Sequence, residues 1–266
     1  MTFKEVFINH QGKLADKWET YLDAYSTAFV PYEDKPVRIL EVGVMNGGTL
    51  EVLAEYFKNA VEIVGVDIDP ACANLNFTDP RITLIIGDIL NVELDGMFDI
   101  IIDDGSHICR DVIITFANYF QRLTANGLYA IEDLHASYWR GWGGGLYTPV
   151  SSMAFLKRLT DLVNWEHWRI TSNPLDNIAR VYETKFHEAN YIKSIEFQNS
   201  LCLIHKSPYN VNRLGRRIIS GSVETVTTGW LQNNIDTTIA GISAMAVNDE
   251  NYDQFNLIEQ IRQLDI

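Results

Sequence analysis

Two stretches of this chain end in acids followed by a histidine. Residues 98–107 read FDIIIDDGSH and residues 128–135 read LYAIEDLH. Each opens as a short apolar run with β-branched residues and stops abruptly in carboxylates. That is the pattern of a strand buried on both faces as it emerges at the carboxyl edge of a parallel sheet. Between them, residues 108–123 suffice for one crossover helix, with Val112, Phe116, Tyr119, Phe120 and Leu123 spaced for a single apolar face. A strand–helix–strand unit places its strands side by side or nearly so, about 4.8 Å apart when adjacent. Asp104, Glu132 and Asp133 are therefore expected to converge at the sheet's carboxyl edge, where open α/β sheets bind ligands. Three carboxylates there repel one another unless a cation or raised pKa values relieve them. All the donors are oxygens, which suits a hard divalent cation. His107, three residues past Asp104, is placed to act as a base on a substrate held there, and His135, after the second acid pair, is its rival. One such acid pair would be an ordinary solvated strand end. Two strands with the same ending favour a site.

The elements that must position these residues can be read upstream. Residues 37–49, VRILEVGVMNGGT, form an apolar strand running into a glycine-rich turn and then a helix. Glycines let backbone pass close under a ligand and turn sharply into the helix. The spacing is not the Gly-x-Gly-x-x-Gly of the dinucleotide fingerprint. About twenty residues on, a second strand, EIVGVDID at 62–69, ends in acids. Asp67 is the residue to place on ribose hydroxyls, and Asp69 reads as a turn or helix cap. A third strand, ITLIIGD at 82–88, brings Asp88 to the adenine side of the ligand. Before all of these, Leu14, Trp18, Tyr21, Leu22 and Tyr25 have helical spacing and predict one amphipathic helix ending before Pro31 and Pro36. It either covers the domain or helps to close the ligand site. Near the C-terminus, Tyr252, Phe255, Ile258 and Ile261 form a stripe needing burial, on the domain or against a second subunit, and a homo-oligomer is expected.

Composition narrows the function classes. The chain has 266 residues, 47% of them hydrophobic, and a net charge of −14. The acidity argues against a nucleic-acid backbone as partner. The apolar runs are strand-sized, so no membrane span is expected, and residues 1–5 lack the apolar core of a signal peptide. Cys72, Cys109 and Cys202 are too few and scattered for a disulfide framework or a zinc site, and a reducing cytoplasm fits.

The succession of strand, glycine turn, acidic strand end and Gly-Asp third strand resembles the class I S-adenosylmethionine-dependent methyltransferases. The resemblance covers residues 37–206, with 189–198 and 201–205 as a closing hairpin whose last strand is antiparallel. EVGVMNGG at 41–48 is similar to the family's methionine-binding turn. Within the class, DDGSH at 103–107, IEDLH at 131–135 and Ser137-Tyr138 resemble the metal-dependent sugar O-methyltransferases of macrolide biosynthesis. Rhamnosyl O-methyltransferases and cephalosporin hydroxylase-like proteins are of the same group. The resemblance implies an α/β, Rossmann-like doubly wound fold, with a mostly parallel seven-stranded sheet and an antiparallel last strand. Residues 1–36 would form an N-terminal helical cover and 207–266 a C-terminal extension, a lid or an oligomer contact. Against some macrolide enzymes the chain is shorter by a large N-terminal domain.

The cofactors so implied are S-adenosyl-L-methionine and Mg2+. Asp104, Glu132 and Asp133 match the magnesium ligands and His107 the general base. Gly43 and Asp67 match cofactor contacts, within a pocket also formed by Glu41, Asn46, Gly47, Asp88 and Asp103. The substrate would be a small molecule or glycan. Residues 136–145, ASYWRGWGGG, then offer Tyr138, Trp139 and Trp142 to stack on sugar faces and Arg140 as a polar contact; the alternative is a loop anchored in the core by its tryptophans. Within methyltransferases a catechol is the near alternative, because it also presents vicinal oxygens to a metal. A nicotinamide-dependent oxidoreductase would need the absent fingerprint glycines. A non-catalytic binding protein would have no need of His107 beside three acids.

Overall fold

Short runs rich in Ile, Val and Leu, closed by glycine or acid, pair side by side because neither of their faces is suited to water. In a computed structural model, residues 1–167, 179–180, 182, 184–188, 191–208, 212–214 and 218–229 are described. The strands are β1 (Arg38–Val42), β2 (Glu62–Asp67), β3 (Ile82–Ile86), β4 (Phe98–Asp103), β5 (Leu123–Ile131), β6 (Ile192–Gln198) and β7 (Leu201–Lys206). They form one sheet in the order β3-β2-β1-β4-β5-β7-β6. The first five run parallel, and β7 is antiparallel to both β5 and β6. This is the doubly wound, Rossmann-like sheet that the resemblance implies.

Alternation along the central strands feeds two cores. Leu40, Ile101, Tyr129 and Ile131 face a cluster closed by α4 (Cys109–Tyr119) and α5 (Ser152–Leu162), with Phe116 and Phe155 at its centre. Ile39, Ile100, Ile102 and Ala130 face the opposite cluster, closed by α1 (Phe3–Asn9), α2 (Glu19–Ala28) and α3 (Gly48–Tyr56). Each fully buried aliphatic or aromatic side chain of this kind contributes about 1.5–3 kcal/mol. The strand order reverses between β1 and β4, so the crevice for a ligand opens there, beyond Val42 and Asp103.

The single N-terminal helix expected through Leu14 and Trp18 is two helices. A capping box at Thr2 and Glu5 starts α1, and α2 begins only at Glu19. Leu14 and Trp18 fall in the irregular connection between them, where tertiary contacts outweigh the helical spacing. Gly48 N donates to the Leu14 carbonyl at 3.2 Å, and Lys13 N donates to Glu51 Oε2 at 2.8 Å. The closeness has a sequence counterpart at Gly48, where a Cβ would stand 2.3 Å from the Lys13 oxygen. The C-terminal stripe at Tyr252, Phe255, Ile258 and Ile261 lies outside the described residues. Among the described residues no helix is long and apolar enough to cross a membrane.

Gly43 carries the crossing of the two central strand ends. Its φ is +86°, and a Cβ there would lie 2.1 Å from the carbonyl oxygen of Asp104. Gly43→Ala should lower unfolding free energy by about 1–3 kcal/mol, the usual cost of such a backbone strain. Urea denaturation checks it, and an unchanged midpoint would show that the β1 and β4 ends are free to separate.

Candidate active site

The ends of β1, β2, β4 and β5 surround a cleft of about 970 Å³. One end of it is the glycine turn. Asp67, the last residue of β2, accepts from Val44 N and Met45 N through Oδ2, at 2.7 and 2.9 Å, and from Asp69 N through Oδ1 at 2.8 Å. Partial burial opposes ionisation, but those backbone donors outweigh it and hold the Asp67 pKa below the ordinary carboxylate value. Asp69 caps the short 3-10 turn Pro70–Asn74 through Ala71 N, as its position predicts. Gly43, Asn46, Asp67, Asp88 and Asp103 line the cleft; Gly47, the left-handed N-cap of α3, and the buried Glu41 are not among its lining residues.

The other end is the acid edge. Asp104, His107 and Asp133 come together, each offering a ligand atom within 4.8 Å of the others. His107 Nε2 is 3.9 Å from Asp104 Oδ1 and 3.7 Å from Asp133 Oδ2. Both His107 and Asp133 have positive φ, 57° and 53°, a strained conformation typical of residues held for function. Glu132 is turned away from this trio. It is 2% exposed, with Oε1 accepting from the Tyr25 hydroxyl at 2.7 Å and Oε2 3.0 Å from Lys17 Nζ. Lys17 also reaches Asp104 Oδ2 at 2.5 Å and lies 4.0 Å from Glu41 Oε1.

One ammonium thus serves a crowd of buried carboxylates. Burial, the largest influence, pushes Glu41 up to about 8, and Lys17 only partly offsets it. Burial likewise raises Asp103 to about 7, with Asp104, Asp111 and Glu132 adding to the shift. Glu132 rises to about 7 by burial, against the pull of Lys17 and the Tyr25 hydrogen bond. Burial opposes the charge on Lys17, but Glu132, Asp104 and Glu41 outweigh it and raise its pKa. Glu41 Oε2 and Asp103 Oδ2 have no hydrogen-bond partner among the described residues.

The α2 helix and the connection before it complete the edge, the second of the two alternatives that the sequence left open, cover or closure of the site. Trp18 Nε1 donates to Asp133 Oδ1 at 3.1 Å, and the Tyr21 hydroxyl lies 2.9 Å from that same oxygen. Trp18, Tyr21 and Tyr25 share one helical face by spacing, a signal that also fits plain packing. Nothing in the local sequence marks Lys17.

His135 is placed differently from His107. Its Nδ1 is 2.6 Å from Ser200 Oγ in the β6–β7 turn, and it does not line the cleft. Its ring starts an aromatic row, 4.9 Å from Trp139, which is 5.3 Å from Trp142. Tyr138, Trp139, Arg140 and Trp142 stand at least partly exposed on two 3-10 turns outside the cleft lining. The tryptophans therefore do not anchor the loop in the core.

No protein-family model matches the chain. Among curated proteins, the 8-demethyl-8-alpha-L-rhamnosyl tetracenomycin-C 2'-O-methyltransferase of Streptomyces olivaceus is 35% identical over 164 residues, 55% of this chain and 42% of that protein. The mycinamicin VI 2''-O-methyltransferase of Micromonospora griseorubida is 35% identical over 167 residues, 56% of this chain and 40% of that protein. The chain's relatives are sugar O-methyltransferases. It spans less than half the length of these curated relatives. Among solved structures, the MycE methyltransferase from the mycinamycin biosynthetic pathway, in complex with Mg, SAH and mycinamycin VI, aligns with a TM-score of 0.62 and 26% identity. That match covers 78% of this chain and 54% of the other.

The acid edge yields a pH-dependent prediction. A carboxyl whose folded pKa is raised costs stability progressively as pH climbs from its unfolded value, 4.5, to its folded value, about 8 for Glu41. In the presence of chelator, Glu41→Gln should therefore raise the melting temperature more at pH 9 than at pH 6. Equal effects at the two pH values would show that Glu41 is not held protonated by its surroundings.

Proposed function

We propose that this chain is an S-adenosylmethionine- and divalent-metal-dependent O-methyltransferase acting on a sugar hydroxyl. The observation that carries the reading is the convergence of Asp104, His107 and Asp133, with Glu132 linked to Asp104 through Lys17, at one end of a cleft whose other end is the glycine turn and Asp67. The chain's sugar O-methyltransferase relatives support the substrate class.

The donor set fits a cation. Three carboxylates supply the oxygen donors that suit Mg2+ or a similar hard ion, and two of them already draw an ammonium between them. Asp104, Glu132 and Asp133 would hold the ion, which would supply the Lewis acidity that makes a sugar hydroxyl more acidic.

The remaining work falls to the chain's own groups. Asp67 has lone pairs left after its three backbone contacts and would accept from ribose hydroxyls. Gly43, without a side chain, keeps the floor between Asp67 and Asp104 open. His107 Nε2 would take the hydroxyl proton as the oxygen attacks the sulfonium methyl: the carbon–oxygen bond forms, the carbon–sulfur bond breaks, and S-adenosylhomocysteine leaves. Cofactor chemistry activates the methyl, so the protein mainly aligns the partners and excludes water. Trp139 and Trp142 stand beside the acid edge as a surface on which a sugar or its aglycone could stack.

The test is a methyl-donor assay against nucleotide sugars and deoxysugar glycosides, with and without chelator. Activity should vanish with chelator and return with Mg2+; full activity in chelator would leave the acids as a structural cluster. His107→Ala should lower turnover about 10²–10⁴-fold, the span for loss of a general base, with little change in metal or cofactor affinity. His135→Ala should act mainly through substrate affinity. If His135→Ala abolishes turnover while His107→Ala only weakens substrate binding, the two roles are exchanged.

A further inference from the structure

Residues 10–18 have no helix or strand of their own, yet they are tied down along their length. Lys13 donates to Glu51 on α3 from both its backbone and its side chain, at 2.8 and 2.6 Å. Leu14 is bound to Gly48, and Trp18 to Asp133. Between these fixings Lys17 turns inward. Its side chain is 2% exposed, and Nζ sits 2.5 Å from Asp104 Oδ2 and 3.0 Å from Glu132 Oε2.

A metal bound by both those carboxylates would need the same place. Magnesium–oxygen distances are about 2.0–2.1 Å, so an ion bridging Asp104 and Glu132 would lie where the ammonium now lies. Two cations cannot share that gap, because their repulsion is strongest in a buried setting. We propose that Lys17 is the resident cation of the acid edge in the metal-free protein, and that metal loading expels it. This rests on the metal-dependent reading given above. Since Leu14 to Trp18 also wall the cleft that holds Asp67 and Asp88, expulsion of Lys17 would loosen that wall. Loading the metal and opening the cofactor cleft then become linked events. The rival arrangement uses Asp104, His107 and Asp133 alone, beside an unmoved Lys17.

Mn2+ binding by calorimetry to the parent, Lys17→Met and Lys17→Arg separates the two. Removing a competing occupant restores the fraction of protein competent to bind, so Lys17→Met should bind at least about tenfold tighter, and Lys17→Arg should not. Amide hydrogen exchange on the parent, which needs no variant to fold, should show residues 12–18 exchanging faster at saturating Mg2+. Unchanged or weaker Mn2+ binding by a folded Lys17→Met, or strap exchange unaltered by Mg2+, overturns the expulsion while leaving the metal reading intact. Absence of Mn2+ binding to any of the three proteins overturns the metal reading itself, and expulsion with it.

Discussion

Carboxylates gathered at a sheet edge repel one another, and everything around this cleft answers that repulsion. Two unit charges 4 Å apart interact by about 4 kcal/mol at the effective dielectric of a protein surface. Asp104 and Glu132 act on both Glu41 and Asp103, and the Lys17 ammonium lies within 4.0 Å of Glu41, Asp104 and Glu132. Burial, with repulsion adding to it, raises the pKa values of Glu41, Asp103 and Glu132, and Lys17 comes across from the N-terminal segment to offset part of the charge. Tyr21, Tyr25 and Trp18 add neutral donors. An arrangement so expensive to maintain is poor as a stabilising device, since buried ion pairs are often no better than apolar packing. It fits the cation site proposed above.

The fold places this demand where it can be met. Parallel strands deliver their carboxyl ends to one edge, and the reversal of order between β1 and β4 opens the crevice there. Gly43 lets the β1 end pass against Asp104, so the glycine turn and the acid edge share one floor. The β6–β7 turn contributes from the far side, where Ser200 supports both His135 and the Tyr21 hydroxyl.

Strand ends were the legible part of the sequence. Runs such as FDIIID and LYAI stop in acid because burial stops there, so the strand ends, their shared edge and the meeting of Asp104 with Asp133 follow from the pattern, whereas the predicted third member was Glu132 and the structure brings in His107. The N-terminal segment was not legible. Trp18, Tyr21 and Tyr25 read as a packing stripe, and their polar tips find partners more than a hundred residues away. Lys17 looks like any surface lysine until the fold closes over it. The place of Glu132 was also hidden: β5 ends at Ile131 and the backbone turns left-handed at Asp133, so only the structure shows Glu132 turned to Tyr25 and Lys17 while Asp133 faces His107.

This edge is proposed to receive a divalent cation. The most direct measurement is a crystal structure grown with Mn2+ and S-adenosylhomocysteine, with the metal located by its anomalous signal. The account predicts one peak bridging Asp104, Glu132 and Asp133, with the nucleoside beside Asp67. A map with S-adenosylhomocysteine bound but no anomalous peak among those carboxylates would contradict it.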